Sequence, residues 1–109
     1  MKKMTNKNAL ALQDAIMKQA RAIVLNKRAD YSGPSDPFRN FRKSELFGVE
    51  SWRGVLIRMT DKMSRIESIM EAGGVIHVTD EKLFDVFCDL VNYSCILAGL
   101  CEEELDDSD

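Results

Sequence analysis

Asp85, Asp89 and Asn92 interrupt an otherwise largely apolar stretch from Leu83 to Leu100. Their i, i+4, i+7 spacing puts them on one face of a helix. A second segment, Glu50 to Met70, carries its own polar stripe of Arg58, Asp61, Lys62 and Arg65. An acidic stripe in apolar surroundings needs partners, because an unpaired buried carboxylate is very costly. Three partners fit: the bases of the other stripe, a metal ion, or a ligand.

Two carboxylates one helical turn apart can hold Mg²⁺, which takes oxygen ligands and keeps several waters. Asp85 and Asp89 are therefore the candidate metal ligands and, with Asp61, the candidate catalytic carboxylates. A Mg²⁺ ion between helices would bind a nucleotide's phosphates and activate a water. Arg58, Lys62 and Arg65 can clamp phosphate, since guanidinium forks grip its oxygens with two bonds. Lys27, Asp30 and Tyr31 stand where the first helix meets the following loop, and can touch a phosphate, a sugar hydroxyl and a base. Asn40 and Phe41 can recognise and stack a base in the same way.

Each assignment has a plainer alternative. Asp85 and Asp89 can simply pair with Lys62, Arg65 or Arg58 across a helix interface. The basic stripe can be a solvated face with an internal Asp61–Arg65 pair. Lys27 can be a favourable lysine at a helix C-terminus, and Tyr31 a packing residue. His77, the only histidine, has no nucleophile set beside it by any motif and reads as a surface turn residue. Gly73-Gly74 lacks the strand, spacing and Lys-Ser/Thr of a phosphate-binding loop.

The elements that must position these residues are helical. Leu12, Ile16, Ala20, Ile23 and Val24 recur at helical spacing and predict a helix over about 8–27. Leu56, Met59, Met63, Ile66 and Met70 alternate steps of three and four, a bundle seam on a helix over about 50–70. Gly73-Gly74 ends that helix, and Thr79 is the expected N-cap of a third helix over about 80–100. Between the first two lies a long connection, 30–49, with turn chemistry at Ser32-Gly33-Pro34 and Asp36-Pro37. Tyr31, Phe38, Phe41, Phe47 and Trp52 in or beside it predict an ordered loop packed over the helices. The third helix is apolar on nearly every side, which in so small a domain predicts a second subunit and an oligomeric helical bundle.

A chain of 109 residues with 45% apolar and 7% aromatic residues is one all-α domain, here 1–101. The last eight residues, 102–109, hold six acids and no base and read as a disordered acidic tail. Without it the body is mildly basic, which suits a small phosphorylated ligand and not duplex nucleic acid. Cys88, Cys95 and Cys101 form no zinc-ligand spacing and read as reduced, buried thiols. The N-terminus has no signal-peptide core, and the acids interrupt the longest apolar helix, so no membrane span and a cytoplasmic location are expected.

Three segments together resemble a known family: KRADYSG at 27–33 with DPFRNF at 36–41, RMTDKMSRI at 58–66, and FDVFCDLVNY at 84–93. The pattern is similar to the nucleotide modification associated domain 1 family of bacteriophages and bacteria. That family is itself similar to the all-α, MazG-like nucleoside triphosphate pyrophosphohydrolases. The resemblance implies a dimeric or tetrameric helical fold, a nucleotide ligand and, for a phage protein, the host cytoplasm. It carries substrate-binding roles to Lys27, Asp30, Tyr31, Asn40, Arg58, Lys62, Arg65 and Asn92, and acidic roles to Asp61, Asp85 and Asp89. One departure stands out. The pyrophosphohydrolases carry Glu-x-x-Glu on one helix and Glu-x-x-Asp on the next, whereas here the acidic cage is missing or rebuilt. The expected functions are Mg²⁺-dependent pyrophosphate hydrolysis, non-catalytic sequestration of a nucleotide such as a defence signal, or a structural helical oligomer.

Overall fold

The structure, a computed structural model, describes residues 3–30, 36–73 and 77–106. Over these it is all helical: α1 (Asn6–Asp30), a 3₁₀ segment (Arg39–Phe47), α2 (Ser51–Glu71) and α3 (Glu81–Asp106). Tyr31, Ser32, Gly33 and Pro34, and the Gly74–Ile76 link, lie outside the described residues.

The helix boundaries follow from local chemistry. α1 begins earlier than the apolar pattern suggests, because the Thr5 hydroxyl accepts the Asn8 N–H at 3.1 Å as an N-cap. α2 ends where Gly73 takes a left-handed φ of 71°, and the Ala72 and Gly73 N–H groups close onto Ser68 and Met70. The cap of α3 falls at Asp80 and not at Thr79. The Phe84 N–H donates to the Asp80 carbonyl, and the Asp80 carboxylate turns back to accept the His77 N–H at 3.1 Å.

Two expectations are corrected. The connection before α2 is not a loop throughout: Arg39–Phe47 forms a nine-residue 3₁₀ helix, long for its kind. The acidic end is not disordered over 102–106, because α3 runs on to Asp106. The run of acids opposes the negative end of the helix dipole, but Arg42 grips Glu103 through two bonds of 2.8 Å.

α3 is the central element. The Cys88 thiol lies 3.9 Å from the Ile16 carbonyl and the Asn92 amide donates to the Ala20 carbonyl at 3.0 Å. Both partners advance by four residues, so α1 and α3 run parallel. The two helices approach closely because Ala20 and Cys88, both buried, are small. α2 runs antiparallel to α3 on the other flank. α1 and α2 each pack on α3, and among the described residues they do not pack on one another. The result is a layer with α3 in the middle and not a closed bundle. Its radius of gyration, 16.5 Å, exceeds the about 13 Å of a compact chain of this length.

The α2 seam is rotated from its expected position. The residues turned to α3 are Val55, Met59, Lys62, Ile66 and Ile69, of which Val55 is fully buried. Leu56, Met63 and Met70 of the expected seam remain 41%, 52% and 68% exposed. Lys62 takes the central place because it meets Asp89. α3 is long and apolar enough over Lys82–Asp106 to cross a membrane by length and composition. The aspartates stand near its start and leave the run beyond them intact, contrary to expectation. α1 and α2 both pack on α3, yet only 22% of its apolar window is buried in the single chain.

Candidate functional site

The polar stripes of α2 and α3 do face each other. The Lys62 ammonium lies 2.8 Å from the Asp89 carboxylate, with side chains 19% and 32% exposed. Below this pair, toward the start of α3, a cleft of about 440 Å³ opens between the helices. Arg65, Ser68, Ile69, Lys82, Asp85, Val86 and Asp89 line it. Two bases, Arg65 and Lys82, face two acids, Asp85 and Asp89, over an apolar floor of Ile69 and Val86, and Lys62 closes the cleft's upper end through its pair with Asp89. One turn above, the Arg58 guanidinium sits 4.8 Å from the Phe41 ring centroid, a cation–π contact. Phe41 in turn meets Tyr93 of α3 edge-on at 6.0 Å.

The structure thus brings Arg58, Lys62, Arg65, Asp85 and Asp89 into one line along the α2–α3 joint. The other candidates stand apart. Asp61 is exposed on α2, one residue off the α3-facing line. Asn92 points to α1 and holds the Ala20 carbonyl, so it is a helix-packing residue in this chain. Lys27 and Asn40 are exposed. Asp30 ends α1 with its side chain outside the described residues, and Tyr31 lies wholly outside them.

Asp85 and Asp89, the two expected metal ligands, both line the cleft, with no third protein ligand beside them among the described residues. Among the described residues no three His, Cys, Asp or Glu side chains gather as ligands. Asp85 and Asp89 are not joined by Asp61 or Glu67, and the Asp89 carboxylate already carries Lys62. The thiols also differ from expectation. Only Cys88 is buried, while Cys95 is exposed and Cys101 half-buried. Burial, with the Asp85 and Asp89 charges behind it, pushes the Cys88 thiol above its usual range.

Two residues at the joint were not singled out from the sequence. Lys82 precedes Asp85 by three residues and so belongs to the same helical face, a spacing signal present from the start. Arg42 carried no such signal, because its partners Asp36 and Glu103 are distant in sequence from each other. A larger depression, about 540 Å³, lies at the other end of α2 and α3. Glu45, Glu50, Glu103 and Glu104 line it with Arg42 and Trp52, and that charge repels a phosphorylated ligand.

Comparison of the chain with protein-family models, curated proteins and solved structures finds no match. The functional reading therefore depends on the chemistry of the α2–α3 cleft.

Proposed function

We propose that the chain binds a phosphorylated nucleotide in the cleft between α2 and α3, as a member of the nucleotide modification associated domain 1 type. The observation that carries this reading is the pair of bases, Arg65 and Lys82, that line a cleft with an apolar floor and take no part in the ion pairs of the described residues. A phosphate would rest on them, with Lys62 shared between it and Asp89. The Arg58–Phe41–Tyr93 cluster one turn above offers aromatic surface for a base.

Binding without turnover is favoured over MazG-like pyrophosphate hydrolysis. No third protein carboxylate joins Asp85 and Asp89 among the described residues, and Asp89 is already paired with Lys62. A sequestering role, with a defence signalling nucleotide as one candidate, follows from that.

The proposal includes a homo-oligomer, dimer or tetramer. At 3.6 residues per turn, the α1 and α2 contacts occupy two flanks of α3. The remaining flank carries Phe84, Phe87, Val91, Ser94, Ala98, Cys101 and Leu105, in steps of three and four without a charge. These residues are half-buried or exposed in the single chain, and a row of this kind suits a second helix.

A thermal-shift panel of ribo- and deoxynucleoside mono-, di- and triphosphates, with and without Mg²⁺, tests the function. A ligand at 100 times its Kd adds about 2.7 kcal/mol of stability. Stabilisation by at least one nucleotide is expected without Mg²⁺; a flat response across the panel overturns the reading.

A further inference from the structure

The segment Asp36–Gly48 lies as a strap across the α2–α3 pair, and its attachments are unequal. Its apolar side is fitted closely. A Cβ built on Gly99 would lie 2.4 Å from the Phe38 ring, and one built on Gly54 would lie 2.8 Å from the Ser44 hydroxyl. The Ser44 hydroxyl donates to the Val49 carbonyl at 3.0 Å, and the Ser51 hydroxyl to Glu45 at 2.7 Å. These contacts hold the strap's C-terminal half to the start of α2. At the other half, the charged tie to α3 among the described residues is a single guanidinium. Arg42 is gripped by Asp36 within the strap and reaches across to Glu103 of α3 by two bonds of 2.8 Å.

We propose that Arg42 and Glu103 form a proton-sensitive latch that holds this strap on α3, and that opening it withdraws Phe41 from beneath Arg58. The latch moves Phe41 of the proposed base surface, but it stands on its own contacts and is testable on the free protein. Asp36 cannot replace Glu103, because it belongs to the strap itself and only orients the guanidinium. The C-terminal half, held to the start of α2, is the hinge about which the other half lifts, and the Leu46 and Phe47 side chains there, 82% and 85% exposed, add no further anchor.

The charged groups around Arg42 set the direction of the pH response. Glu103 and Glu104 face it from α3, Asp36 and Glu45 from the strap, and Glu50 from α2, where Arg53 holds it at 2.9 Å. The bond from Arg42 keeps both Glu103 and Asp36 below their ordinary values of 4.5 and 3.8. Glu103 and Asp36, in turn, raise Arg42, which stays charged throughout. A carboxyl depressed in the folded state contributes fully above its ordinary value. The latch is therefore closed at neutral pH and lost as pH falls below about 4.5 through the lowered values.

Hydrogen exchange, expressed as protection relative to unstructured peptide rates, tests the latch. The Phe41 and Arg42 amides, both bonded to the Phe38 carbonyl at the latch end, report its closure. Glu103→Gln is expected to lower strap protection several-fold at pH 7 while the α1–α3 seam around Ala20 and Asn92 keeps its own. The parent is expected to lose the same protection between pH 5 and pH 3, a step absent from Glu103→Gln. Glu104→Gln, which does not touch Arg42, serves as the control and should behave as the parent. Equal strap protection in parent and Glu103→Gln, an acid step of the same size in both, or equal loss in Glu104→Gln would each overturn the proposal.

Discussion

Lys62 of α2 and Asp89 of α3 form an ion pair of 2.8 Å at the centre of the helix joint. The pair decides how the flanking cleft works. It sets α2 so that Lys62 and not Met63 faces α3, and it leaves Arg65 and Lys82 as the bases beside it that are free of ion pairs among the described residues.

The pair is partly open to solvent, so it contributes less to stability than a buried one. Asp89→Asn should cost about 0.5–1.5 kcal/mol, between the values for exposed and buried pairs. Urea unfolding followed by circular dichroism measures this. A loss above about 3 kcal/mol would mean that the lysine is left stranded in a dry interior.

Gly99 should tolerate alanine in the helix but not under the strap. Alanine favours a helix over glycine by about 1 kcal/mol, yet its Cβ would meet the Phe38 ring at 2.4 Å. Gly99→Ala is expected to change global stability by less than about 1 kcal/mol while strap amides lose protection. Unchanged strap exchange would show that Phe38 has room to move aside.

The helix periodicity was legible in the sequence because burial enforces it: the apolar steps of α1, α2 and α3 each lie on a real helix. Residues facing one another were only partly legible. Arg58, Lys62, Arg65, Asp85 and Asp89 were found because i, i+4 spacing survives in the fold. Asn92 shares that spacing with Asp85 and Asp89 but turns to α1, since a helix face of this width borders two neighbours. Arg42 joins the 3₁₀ strap to the helical acidic end through Asp36 and Glu103, a long-range pairing that local composition does not reveal.

The thiols should react in order of exposure. At pH 8, iodoacetamide should label Cys95 first and Cys101 more slowly, leaving Cys88 unmodified until the chain unfolds, because it is buried and its thiolate is disfavoured. Peptide mass spectrometry along a time course measures the order. Early modification of Cys88 would contradict the close α1–α3 packing.

Assembly should depend on the charge-free row of α3. Ala98→Glu places a charge at an exposed helical position of the single chain, so it should leave helicity intact. Sedimentation velocity is expected to show an oligomer for the parent and a monomer for Ala98→Glu. An oligomer unchanged by the substitution would move the interface to another face, such as the exposed Leu56, Met63 and Met70 of α2.

The most direct test of the cleft is calorimetric titration with the most stabilising nucleotide of the panel, on the parent and on Arg65→Ala. Removing Arg65 should weaken binding by about 1.5–3 kcal/mol, the usual worth of a hydrogen bond to a charged group, with helicity and oligomer unchanged. Arg53→Ala, on the far side of the 3₁₀ segment and stacked on Trp52, should bind as the parent does. Binding undiminished in Arg65→Ala, or diminished equally in Arg53→Ala, would contradict a nucleotide site between α2 and α3.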